Sequence, residues 1–109
     1  MRMGIGGGAE ILTENETEII YKYYNYNLNI PEHRNAEKIM DGRIIINKSR
    51  NIPYIISLFP ERSDIIVVNS KNKWNIEEYC DCIAVVLIRI IINRYNQEKV
   101  YPDKVIYNN

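Results

Sequence analysis

The sequence predicts an α+β fold, with one long C-terminal helix packed on a small antiparallel or mixed sheet of about five strands. Three observations lead there. The periodic segments run strand, strand, strand, short helix, strand, long helix, strand. The stretch from Tyr79 to Ile92 carries only two charges, Asp81 and Arg89, and is too long for a strand. The chain of 109 residues suits one two-layer core, so residues 1–109 are expected to form a single compact domain.

Each element follows from local chemistry. Gly6, Gly7 and Gly8 read as a flexible or tightly turned lead into a short strand, Ala9 to Thr13. Glu14-Asn15-Glu16 makes a turn into a second strand, Thr17 to Tyr26, which completes a hairpin. Ile19, Tyr21 and Tyr23 share one face of that strand, and Ile20, Lys22, Tyr24 and Tyr26 the other. Residues 25–41 lack a sustained period and contain Pro31, which predicts a surface loop with a turn of helix near Ala36 to Met40. Asp41-Gly42 is a turn signal, and Arg43 to Lys48 a β-branched strand whose three isoleucines are expected to be covered on both sides. Asn51 and Pro53 start a short helix through Phe59, stopped by Pro60. Asp64 to Asn69 is the next strand, closed by a polar turn at Ser70 to Lys73. Asn75 and Glu78 have capping-box spacing, which predicts the long helix from Ile76 to about Gln97. Lys104 to Tyr107, after Pro102, reads as an edge strand.

The long helix has more apolar surface than one sheet covers. Ile76, Tyr79, Cys80, Ile83, Val86, Leu87, Ile90 and Ile91 form a wide face, and Val85, Ile88 and Ile92 form a second stripe. That stripe needs either a third layer of the same chain or an interface, with a second copy or with another protein.

Composition narrows the function classes. Fourteen basic residues balance fourteen acidic ones, so no overall field recruits nucleic acid or an anionic membrane. Only the segment from Arg43 to Lys73 is mildly basic. The many Ile, Asn and Tyr, with nine Tyr against one Phe, match AT-rich codons and carry no functional message. No apolar run has signal-peptide or membrane-spanning length, so the protein is expected to be cytoplasmic. Cys80 and Cys82, ~200° apart on a helix, read as small buried residues and not as a disulfide or a shared metal site.

The chemical constellations are few. Gly4-Ile5-Gly6-Gly7-Gly8 precedes a strand and has no Lys-Ser/Thr behind it, so it is not a phosphate loop. His33, the sole histidine, has no identifiable orienting partner and reads as a solvated loop residue. Tyr21, Tyr23, Tyr24 and Tyr26 are a possible interaction surface or, with Lys22, Arg43, Lys48 and Arg50, a stacking platform for unpaired bases; sheet packing is the simpler reading. Glu14, Glu16 and Glu18 share one face of an extended strand as a solvated negative patch. No catalytic residue, cofactor or metal ligand set is identified.

The segments Gly4 to Leu12, Tyr21 to Asn29 and Asp41 to Ile46 together resemble a group of short uncharacterised proteins of low-GC Gram-positive bacteria. That group has no assigned activity, so the resemblance implies only a small accessory protein and transfers no site residue.

These features favour a non-enzymatic protein-interaction module, of an immunity or inhibitor type or self-associating, with Val85, Ile88 and Ile92 as its interface. Two alternatives stay open. One is a single-stranded nucleic-acid-associated protein using the Tyr21 to Tyr26 strand. The other is a small enzyme with a site in the 25–41 loop, built from His33, Glu37 or Asp41.

Overall fold

Alternating apolar residues in the first half of the chain build a long hairpin. β1 (Ile5–Glu14) and β2 (Glu18–Asn27) pair antiparallel, with Ala9 opposite Tyr23 and Ile11 opposite Tyr21, and a bulge lies between Ile11 and Thr13. The connecting turn is organised by Asn15, whose Oδ1 accepts from the backbone N–H of Thr17 at 2.8 Å and of Glu18 at 2.9 Å. The computed structural model describes residues 4–48, 65–72, 76–77 and 80–108.

Three further strands complete an antiparallel sheet. β3 (Gly42–Asn47) pairs with β2, β4 (Ile65–Val68) pairs with β3, and β7 (Lys104–Asn108) pairs with the free side of β1, giving the order β4-β3-β2-β1-β7. The short strands β5 (Ile76–Glu77) and β6 (Cys80–Asp81) form a separate ladder that leads into the helix α1 (Cys82–Glu98). The fold is therefore α+β, a five-stranded antiparallel sheet packed against one long C-terminal helix. The helix ends at Lys99 in the left-handed conformation, with its N–H on Tyr95 O at 2.6 Å.

The core lies between one sheet face and α1. Ala9, Ile19, Tyr21, Tyr23, Ile44, Ile46 and Val105 supply the sheet side; Ile83, Ala84, Leu87, Ile88, Ile91 and Ile92 supply the helix side. Each fully buried isoleucine or leucine contributes about 1.5–3 kcal/mol relative to leaving it exposed.

Several expectations are corrected here. Gly6, Gly7 and Gly8 are not a flexible lead but buried residues of β1. A Cβ on Gly7 would stand 2.8 Å from Ile83 Cγ2 and 2.3 Å from Tyr24 O, so the missing side chain is what lets the first turn of α1 settle on the strand. The helix begins at Cys82, not at Ile76, because Asp81 is its N-cap: its carboxylate accepts from Ile83 N at 2.9 Å, and residues 76–77 and 80–81 are extended. Cys82, at the first helical position, is exposed and not a small core residue. The 25–41 segment holds a 3-10 turn at Pro31–His33 and no turn of helix at Ala36 to Met40. The β3 isoleucines alternate, with Ile44 and Ile46 buried and Ile45 half-buried, so β3 is covered fully on one side only. The short helix expected from Asn51 to Phe59 lies outside the described residues.

Candidate functional site

The outward sheet face is built by the same register that fills the core. Ile20, Ile45 and Ile66 stand side by side across β2, β3 and β4. The next row, Val68, Arg43, Lys22, Glu10 and Lys104, crosses all five strands. Ile66, Val68 and Ile106 are each 50% exposed, while Ile20 and Ile45 are half-buried. Within the charged row, Lys22 Nζ lies 3.2 Å from Glu10 Oε1 and neutralises it. Arg43 donates from Nη1 to Gly42 O at 2.8 Å and Met40 O at 3.0 Å, contacts with neutral carbonyls that leave its charge uncancelled. The row therefore offers more positive than negative charge, framed by β-branched residues.

The four tyrosines divide between the two faces. Tyr21 and Tyr23 point into the core with no exposed area. The Tyr21 hydroxyl donates to Pro102 O at 2.6 Å, and burial raises its pKa well above the ordinary tyrosine value, with lesser contributions from Tyr101 and Glu14. Tyr24 and Tyr26 point outward and stack, with ring centroids 6.4 Å apart. Tyr24 is nevertheless 5% exposed, because its ring lies over Gly8, where a Cβ would meet it at 2.8 Å. Tyr26 reaches across Gly6 and donates to Asn108 Oδ1 at 2.6 Å. Tyr21, Tyr23 and Tyr24 therefore present no open ring face to a base and pack within the sheet, as the simpler reading of this strand has it, while Tyr26 is half-buried. Of the basic residues grouped with these tyrosines in the nucleic-acid alternative, Lys48 pairs with Glu14 at 2.7 Å, and Arg50 lies outside the described residues. Glu14, Glu16 and Glu18 do not share one strand face, since the Asn15 turn places Glu14 and Glu18 on different strands.

A buried polar cluster, unannounced by the sequence, lies where β2, the 69–72 segment and the start of α1 meet. Asp81 is fully buried. Its carboxylate accepts from the Tyr23 hydroxyl at 3.1 Å, from Asn25 Nδ2 and from Ile83 N, while its own N–H donates to Asn69 Oδ1 at 3.1 Å. Asn72 extends the chain of bonds outward. Its Nδ2 donates to Asn25 Oδ1 at 2.8 Å, and its Oδ1 meets His33 Nδ1 at 2.6 Å. His33 is thus half-buried and bonded to Asn72, not a solvated loop residue. Ser70, buried, donates to Asp41 Oδ1 at 2.7 Å, and its N–H donates to the Tyr23 hydroxyl at 2.8 Å. Outside this cluster is an open cleft of about 420 Å³ whose lining includes Glu32, Asn35, Glu37, Asp41, Lys71 and Asn72. Of the trio His33, Glu37 and Asp41, the two carboxylates line it, while His33 does not and adjoins it only through Asn72. Among the described residues no three of His, Cys, Asp and Glu gather as a metal site.

The helix stripe is not open either. Val85, Ile88 and Ile92 are 9%, 2% and 0% exposed, and Ile88 and Ile92 belong to the core cluster, so they are covered within the chain. Of the wide face, Ile83, Leu87 and Ile91 are core residues and Ile90 packs against them partly buried, while Val86 is half-exposed. No described helix is long and apolar enough to cross a membrane.

Comparisons with protein-family models, curated proteins and solved structures return no match.

Proposed function

We propose that this protein acts by binding another protein, and that the partner docks on the sheet face turned away from α1, over Ile20, Ile45, Ile66 and Val68. The observation that carries the reading is the half-exposed β-branched surface on a sheet whose opposite face already meets the helix. Surplus apolar area of this kind, rimmed by charge, is characteristic of docking surfaces. Charge fixes the kind of partner. With Glu10 engaged by Lys22, the face presents Arg43 and Lys104, so its complement is an apolar surface bearing carboxylates. An immunity- or inhibitor-type role, in which a small domain occludes part of a target, requires no more than this.

The test replaces the two exposed β4 residues with charge. Ile66→Lys together with Val68→Lys is expected to leave stability within about 0.5 kcal/mol per site, the usual range for surface changes. The parent should retain a partner from the native host that the double variant fails to retain. A double variant that melts like the parent and retains the same proteins would overturn the assignment of this face.

A further inference from the structure

β7 is an edge strand of the described sheet, and its hydrogen-bond phase can be read directly. Ile11 N donates to Asp103 O at 3.0 Å, and the same register sets Val105 opposite Ala9 and Tyr107 opposite Gly7. Hydrogen-bonded pairs of an antiparallel ladder recur at every second residue. Residues 105 and 107 therefore turn their backbone groups toward β1, and Lys104, Ile106 and Asn108 turn theirs away from the sheet. The side chains of these three residues are also exposed. An edge of outward N–H and C=O groups is complemented by another extended strand.

We infer that this strand is β7 of a second copy, added antiparallel about a two-fold axis at Ile106. The composition of β7 selects that occupant. In the centred register Ile106 lies opposite its own copy, and Lys104, the sole charge of the strand, lies opposite the partner's Asn108, a neutral amide. All three outward residues are paired, each pair exchanging two backbone hydrogen bonds. Registers shifted one way set Lys104 against Ile106 or against its own copy, where like charges repel, and registers shifted the other way leave Lys104 beyond the partner's β7; both lose pairs. An isologous pairing of this kind closes on itself and extends the sheet without further growth at that edge. It uses the sheet end opposite β4 and stands independently of the docking face proposed above.

The experiment is sedimentation equilibrium of the full chain over a dilution series at low ionic strength. The parent should be dimeric at the upper end and dissociate on dilution. Asn108→Lys places a cation opposite Lys104 at two symmetric positions and should raise the dissociation constant about two- to thirtyfold, whereas Asn108→Glu at the same site should lower it. Ile106→Pro removes an N–H that is not used in pairing with β1 and puts a ring in the path of the added strand, so it should leave a folded monomer. If the proline variant does not fold, the opposite signs of the two Asn108 variants decide alone. A parent that is monomeric throughout, or a dimer indifferent to the sign of the charge at position 108, overturns the inference. Ile66→Lys with Val68→Lys should leave the dimer unchanged, which separates this result from the fate of the docking face.

Discussion

Replacing Asp81 by Asn tests whether the buried cluster has the donor and acceptor pattern described above. At an ordinary helix N-cap, Asn and Asp are nearly equivalent, and the exchange changes stability by a few tenths of a kcal/mol. Here the two carboxylate oxygens have different duties. Oδ1 accepts from Ile83 N, a role an asparagine oxygen can keep. Oδ2 accepts from both Tyr23 and Asn25, and an amide nitrogen in its place sets a donor against the Asn25 amide and forces the Tyr23 hydroxyl, which already accepts from Ser70 N, to give up its donor role here. Asn25 cannot relieve the conflict by turning its amide over, because its own Oδ1 already accepts from Asn72. A buried donor without its acceptor costs about 1–3 kcal/mol, so Asp81→Asn is expected to lose about 2–3 kcal/mol. Asp81→Ala also forfeits the cap, worth about 1 kcal/mol, and should lose about 3–5 kcal/mol in all. Against a typical total of about 5–15 kcal/mol, the alanine variant is close to unfolding. Urea denaturation followed by circular dichroism reads both values. An Asp81→Asn variant within about 0.5 kcal/mol of the parent would refute the assigned bonding.

The helix stripe and the buried tyrosines give two further expectations. Val85→Glu with Ile92→Glu should abolish cooperative unfolding, because two carboxylates would be placed in the core without partners; a folded double variant, detected by a sharp thermal transition, would show that the stripe is not covered. Burial raises the pKa of Tyr21, Tyr24 and Tyr101 above the ordinary value near 10, so the unfolded chain releases these protons first. Stability should hold below about pH 10 and fall above it, by up to about 1.4 kcal/mol per pH unit for each such tyrosine, with Tyr21→Phe reducing the slope; a flat stability profile from pH 9 to about pH 11 would contradict the burial.

The sheet was largely legible because a strand writes its burial into alternate residues. Ile19, Tyr21 and Tyr23 alternate with Ile20, Lys22 and Tyr24, and the Asn15 turn fixes the hairpin between β1 and β2. Which face the helix covers is not encoded locally, since both faces of β2 carry aromatic bulk. The helix start was misplaced for a definable reason. Asn75 and Glu78 have the spacing of a capping box, whereas the real cap, Asp81, reads as an ordinary charge within an apolar run. The available signal was an aspartate directly before that run's strongest helical period, from Ile83 onward. Gly6 to Gly8 were misread because glycine signals a turn unless the residues lying over it are known, and those residues are Tyr24, Tyr26 and Ile83. The polar cluster was invisible for a related reason: Asn25 lies far in sequence from Ser70, Asn72 and Asp81, and each residue is unremarkable by itself. The outward face was only half readable. The β-branched residues at 20, 45 and 66 were evident, but their exposure depends on what the rest of the chain leaves uncovered.

The pairing of β1 with β7 joins segments from opposite ends of the described chain. Such a ladder has a high contact order: the loop that must close is almost the entire sequence, and the entropy of closing it is lost before any β1–β7 hydrogen bond forms. Until then the hairpin of β1 and β2 carries an open edge at which Gly7 offers its backbone groups, between Gly6 and Gly8, without side chains to repel a stray strand. The arrival of β7 is accordingly expected late in folding, and high concentration before that step is expected to favour intermolecular pairing at that edge.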